Sequence, residues 1–145
     1  MSDTVPVTVE GVYMVPSPPG AAPVVMLGYE NKMLPIYVGI GEAIAIGGAL
    51  HNETTPRPMT HDLVISLLKK LNAKIDGVVI DDLEDGIYYA RLIVQVDGNK
   101  KELDARPSDC IALALRADAK IRVKKSVIDA AAVNKDEIKH SIVDL

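Results

Sequence analysis

Phenylalanine and tryptophan are absent from this chain of 145 residues, and five tyrosines are its only aromatics. A core must therefore be assembled from Val, Ile, Leu, Met and Ala. There is one cysteine, Cys110, so no intramolecular disulfide can form. Set among apolar residues, it reads as a buried, inert thiol of a reducing compartment. Long apolar runs are missing too. The longest, Ala43 to Leu50, is too short to span a bilayer and contains two glycines. The first residues, MSDTVPVTVE, lack a basic region followed by an apolar stretch. No signal peptide, no membrane association and a cytoplasmic location are expected. A basic stripe is also lacking. The net charge is -4, and cations cluster only in short pairs such as Lys69-Lys70, Lys100-Lys101 and Lys124-Lys125. That balance argues against a protein that holds nucleic acid chiefly by neutralising phosphates, and leaves transient contact at a catalytic cleft open. P-loop, Rossmann glycine and zinc Cys/His patterns are absent, as is a nucleophile elbow.

What is present suits one soluble globular domain: 48% hydrophobic and 25% charged residues, in a chain long enough to bury a core. Val5–Val15, Pro23–Tyr29 and Met33–Val38 have strand character, separated by Ser17-Pro18-Pro19-Gly20 and Glu30-Asn31-Lys32 turns. A short, nearly all-apolar helix follows from Gly41. Leu63, Val64, Leu67, Leu68 and Leu71 then mark one apolar face of a helix opened by Thr60 as N-cap, with Asp62 in its first turn. Further strands are expected over Lys74–Asp81, Ile87–Val96 and Lys100–Ala105, joined by Asp85-Gly86 and Asp97-Gly98-Asn99 turns. Ser108–Arg116 reads as a second buried helix, Ile121–Val123 as an edge strand, and Ser126–Ala132 as a helix.

This order repeats. A step of 67 residues carries Glu42 to Asp109, Ile44 to Ile111, Ala45 to Ala112, Ile36 to Leu103 and Val25 to Leu92. Glu10-Gly11-Val12 matches Asp76-Gly77-Val78 one residue out of step. The expected architecture is α+β: two β3-α repeats in β/α/β layers, forming one domain over residues 1–133. Repeat one covers about 5–51, an inserted helix about 60–72, and repeat two about 73–117; 134–145 is a polar tail.

Two polar stretches carry candidate chemistry, PRPMTHDL (56–63) and DARPSDC (104–110). Each places an arginine, held extended by the following proline, ahead of a hydroxyl residue and an aspartate. Glu42 and Asp109 start the two apolar helices. They serve the helix dipole there, or hold a metal or basic partner at an anion-friendly corner. His61 is one of three histidines and is the natural general acid or base, in an exposed first turn. His61 and Asp62 point about 100° apart, so a metal would need Glu42 or Asp109 as well. Arg57 and Arg106 can present forked donors to phosphate, or make salt bridges such as Arg106 to Glu42. Ser108 is the expected N-cap of its helix, and a Ser108–His61–Asp109 triad is disfavoured by the missing elbow. His51 and His140 have no partner spacing that singles them out.

LPIYVGIGEA (34–43), PRPMTHDL and DARPSDCIALA (104–114), in this order, resemble the bifunctional nuclease domain family, formerly a domain of unknown function. The similarity runs from about Val5 to Val133 and implies the duplicated β3-α fold read above. It also implies nuclease activity, since plant members are described as acting on both DNA and RNA. Glu42, Arg57, Thr60, His61, Asp62, Arg106, Ser108 and Asp109 are the family-like polar positions. The expected mechanism has Asp62, Glu42 and Asp109 hold a divalent ion such as Mg2+, and His61 move a proton. Arg57, Arg106 and Ser108 meet the substrate. The competing expectation is a non-catalytic binding or assembly domain, favoured by the acidic balance, the absent basic stripe and a lack of exposed stacking aromatics, whose polar cluster is a buried ion-pair network. Apolar edge strands would make it a homo-oligomer.

Overall fold

The computed structural model describes residues 3–138 and 143–144; residues 139–142 of the tail, His140 among them, and 145 lie outside these. Three antiparallel strands, β1 (Thr4–Ser17), β2 (Gly20–Tyr29) and β3 (Lys32–Tyr37), lead into helix α1 (Ile40–Leu50). After helix α2 (Thr60–Lys70) the series returns as β4 (Ala73–Glu84), β5 (Ile87–Val96), β6 (Asn99–Ala105) and α3 (Pro107–Ala117). Strand β7 (Lys120–Lys124), helix α4 (Lys125–Ala131), strand β8 (Val133–Asn134), helix α5 (Lys135–Ile138) and strand β9 (Val143–Asp144) complete the α+β domain. The strands run β6-β5-β4-β7-β1-β2-β3-β8, with β9 beside β1.

The duplication is visible in the ladders. Val25 faces Ile36 across β2 and β3, and Leu92 faces Leu103 across β5 and β6, one 67-residue step on. Both first strands bulge at the matching glycine, between Val9 and Gly11 in β1 and between Ile75 and Gly77 in β4. The one-residue slip in the repeat has a local cause. β4 carries a second bulge, between Ile80 and Asp82, that its counterpart ladder lacks; a bulge adds one residue to one strand.

Helix α1 packs on β1 and β2, α3 packs on β4, β5 and β7, and the two helices pack on each other. The apolar faces of both sheet halves thus close over the helices. Val25, Leu27, Leu34 and Ile36 from one half meet Val78, Ile80, Ala90 and Leu92 from the other through Ala43, Ile46 and Cys110–Ala114. Aliphatic and small side chains fill this core, as the missing Phe and Trp require.

Several local expectations are corrected. β7 is no edge strand: it pairs parallel with β4 and antiparallel with β1, joining the two halves. Its alternating Lys120, Arg122 and Lys124 give it the charged face of an edge, while Ile121 and Val123 are buried. Neither hydroxyl caps its helix. Met59 is the N-cap of α2 and Arg106 that of α3, so Thr60 and Ser108 lie inside the first turns. Pro107 takes the first helical position, where its missing N–H costs nothing. Helix α2 is less buried than its period suggested. Val64, Ile65 and Leu68 pack on the core, but Leu63, Leu67 and Leu71 form an exposed ridge. The outer strand β6, NKKELDA, is charged rather than apolar, a pattern that discourages edge pairing.

Candidate active site at two helix starts

The α3 start gathers most of the polar residues singled out above. Arg106, as N-cap, turns its guanidinium along the first turn of its own helix: Nε donates to Asp109 Oδ2 at 3.0 Å and Nη2 to Oδ1 at 3.2 Å. This is the bidentate fork that arginine's planar geometry favours. Nη1 reaches across to Glu42 Oε2 at 3.4 Å, so one arginine ties the acids that open both apolar helices. His61, carried in by α2, places Nε2 2.9 Å from Asp109 Oδ1. An ionised carboxylate only accepts, so Nε2 carries a hydrogen, and in the neutral ring Nδ1 holds the lone pair. The His61 side chain is only 14% exposed, which corrects the expectation of an exposed first turn. It leans onto α3 rather than into solvent.

Electrostatics follow from these contacts. Burial alone would raise the Asp109 carboxyl; hydrogen bonds from Arg106 and His61, with their charges, outweigh it and hold it below the ordinary 3.8. Arg106 is pushed up by its hydrogen bonds and attraction to Asp109. Burial pushes the Cys110 thiol up to about 12, with Asp109 and Asp104 adding repulsion, so it is inert at neutral pH.

Asp62 does not join this group. Its Oδ2 accepts from the Met59 backbone N–H at 2.9 Å, capping α2, and its Oδ1 accepts from Arg116 Nε at 2.8 Å. Both contacts lower its carboxyl, the backbone bond most. Arg116, which the motifs did not flag, is 13% exposed and also donates to the carbonyls of Ala45 and Ala112. It fastens α1, α2 and α3 together. Its one sequence signal is a cation in the last turn of an apolar helix, which is common at helix C-termini. Arg57 lies in the exposed loop before α2; its carbonyl accepts from Thr55, and among the described residues its side chain has no ion pair. Ser108 is buried, with no hydrogen bond to His61 among the described residues, so a Ser-His-Asp triad does not form. His51 caps the end of α1, Nδ1 lying 3.0 Å from the Gly47 carbonyl.

The proposed ion-binding set does not assemble. Among the described residues no group of three His, Cys, Asp or Glu side chains is placed to hold a metal. Each Asp109 oxygen already meets a cationic donor, Asp62 is occupied by Met59 and Arg116, and Glu42 faces Arg106. These residues do not fit a carboxylate-held divalent ion. The network is not buried either: the Arg106 side chain is 64% exposed. Nor are exposed rings wanting, since Tyr37, at 63% exposure, lines a cleft beside Arg106. That cleft, of about 590 Å³, is walled by the ends of β3 and the β4–β5 hairpin.

The arrangement defines a class first: a duplicated α+β domain with a partly open His–Asp–Arg–Glu constellation where its two helices begin. Sequence comparison supplies the particular family. The bifunctional nuclease domain matches residues 24–136, and the chain belongs to that family. An uncharacterized protein of Mycobacterium tuberculosis is 40% identical over 117 residues, covering 79% of this chain and 70% of its own length. Bifunctional nuclease 1 of Oryza sativa subsp. japonica is 31% identical over 101 residues, covering 68% of this chain and 30% of the rice protein. Bifunctional nuclease 1 of Arabidopsis thaliana is 28% identical over 109 residues, 71% of this chain and 34% of that protein. The chain thus spans about a third of the plant relatives' length. No helix among the described residues is long and apolar enough to cross a membrane.

Proposed function

We propose that the protein hydrolyses phosphodiester bonds in DNA and RNA at the α3 start, with no reaction step routed through a metal. The observation that carries this reading is the 2.9 Å His61–Asp109 pair brought together by two separate helices beside a solvent-exposed arginine. A merely structural ion pair is made as well by lysine or arginine; a histidine brings a second ring nitrogen, Nδ1, that can take up a proton. Asp109 fixes the imidazole orientation and tautomer. His61 Nδ1 removes a proton from water as the water oxygen bonds to phosphorus. The bond from phosphorus to the leaving oxygen breaks, and that oxygen takes up a proton from the imidazolium. Arg106 stabilises charge on the phosphoryl oxygens, and Arg57, on the neighbouring loop, is free to meet a flanking phosphate. Glu42 holds Arg106 in place from the other repeat.

The test is cleavage of plasmid DNA and single-stranded RNA, with and without chelator, by wild type, His61→Ala and Asp109→Asn. General acid–base loss lowers the rate by roughly 10²–10⁴-fold in both variants. Undiminished cleavage by His61→Ala overturns the assignment; loss of wild-type cleavage in chelator restores a metal to the reaction. The proposal includes self-association, with the Leu63, Leu67 and Leu71 ridge as the surface a second copy would cover.

The assembly-domain reading rests on one observation, that Arg106 bridges acids of both repeats. Its exposure weighs against it, because exposed ion pairs contribute about 0–1 kcal/mol.

A further inference from the structure

We propose that the cleft beside Arg106 is a subsite for one unpaired nucleobase, which makes single-stranded nucleic acid the substrate class of this site. The inference rests on the nuclease reading above and adds what it omits, the recognition of something other than phosphate.

The chemistry of the walls is that of a base pocket. Tyr37, Tyr88 and Ile87 give it aromatic and apolar lining, and Arg106 and Glu42 give it charged lining. Tyr88 is anchored, its hydroxyl donating to the Pro35 carbonyl at 3.3 Å, so its ring is held against β3. Tyr37 is 63% exposed, an unusual position for one of only five aromatic rings in the chain. The volume, about 590 Å³, falls in the range that takes a ligand of nucleoside size. Arg106 lines this cleft and also binds Asp109, so the same guanidinium that would meet the phosphate of a bound nucleotide touches the partner of His61.

The duplication provides an internal control. One repeat step places Asp104 at the position of Tyr37, Ala21 at that of Tyr88 and Gly20 at that of Ile87. The same strand ends are therefore built without rings or bulk in the other repeat. The fold does not require the aromatic wall, and its presence at only one of two equivalent places, the one next to Arg106, points to a ligand. Stacking is the sequence-tolerant way to hold a base, since every base has a π-face. A base inside a duplex cannot enter such a cleft without leaving its stack.

The experiment measures binding, not turnover, by the full chain. Probes are an oligothymidylate of about twelve nucleotides, its duplex with oligoadenylate, and an abasic strand of equal length. The oligothymidylate is expected to bind more tightly than both other probes. Tyr37→Ala weakens it roughly ten-fold, while Tyr37→Phe, which keeps the ring, binds as wild type. Abasic or duplex probes bound as tightly as oligothymidylate overturn the proposal, as does unchanged binding by Tyr37→Ala. Because Tyr37 is exposed, its substitution leaves the fold intact. Ring-dependent binding without cleavage rejects the nuclease reading and keeps the subsite; cleavage with ring-independent binding does the reverse.

Discussion

Helix α3 carries an arginine at each end, and the two make opposite use of the same chemistry. Arg106 and Arg116 each hold an aspartate and each reach toward α1. Arg106 does so with 64% of its side chain exposed, Arg116 with 13%. A guanidinium in water gains little from its partners and remains free to bind an anion. One that is shut between helices must satisfy its donors internally, and its removal takes a partner from Asp62 and the contact that joins α3 to α1 and α2. The difference separates a candidate active site from a structural rivet, although both read on paper as an arginine paired with an acid.

The comparison breaks first on activity. Arg106→Ala lowers phosphodiester cleavage by about 10²-fold or more, yet changes stability by under about 1 kcal/mol in urea unfolding. Arg116→Ala does the converse, lowering unfolding free energy by about 2–3 kcal/mol. If Arg106→Ala is the variant that unfolds, the polar cluster is architecture and the assembly reading prevails. A smaller effect sharpens the Arg116 side: Asp62→Ala loses the α2 cap and one Arg116 contact. It should cost about 1 kcal/mol, with cleavage by the folded fraction unchanged. Activity falling far beyond the folded fraction would put Asp62 back among the reacting groups.

The smallest effect is on pH. Asp109 and Asp62 both sit below their ordinary 3.8 in the folded chain. Each lowered carboxyl therefore contributes stability that is present above that value and lost as pH falls through the folded one. Stability should be level between pH 5 and 7 on account of these groups and decline below about 4. Asp109→Asn should flatten that acid decline, measured as unfolding midpoint against pH; an unaltered slope would show that the Asp109 contacts are weak in solution.

Much of the fold was readable because repetition and period are local. The step from Glu42 to Asp109 points to a repeated β3-α order, and the ladders place Val25 with Ile36 and Leu92 with Leu103 at equivalent positions; the one-residue slip carries no hint of the bulges that the strands contain. The salt bridge from Arg106 to Glu42 is also one that the two motifs suggest. The failures were those of exposure and partnership. The charged alternation of β7 resembled an edge, though two strands flank it. The leucines of α2 and its C-cap match a helical face, yet Leu63, Leu67 and Leu71 point away from the core and only Leu68 packs on it. Thr60 and Ser108 had the chemistry of caps and sit one and two positions too late.

Composition, period and repeat by themselves determined an aliphatic, tryptophan-free α+β domain, its element order, and the residue types at each helix start, since these depend on neighbours along the chain. Tertiary structure alone decided that His61 meets Asp109 while Asp62 turns to Arg116, and that Tyr37 stands over a cleft beside Arg106. Adjacent residues on a helix diverge by about 100°, so which one faces a partner 48 positions away depends on how α2 docks, and no local pattern encodes that.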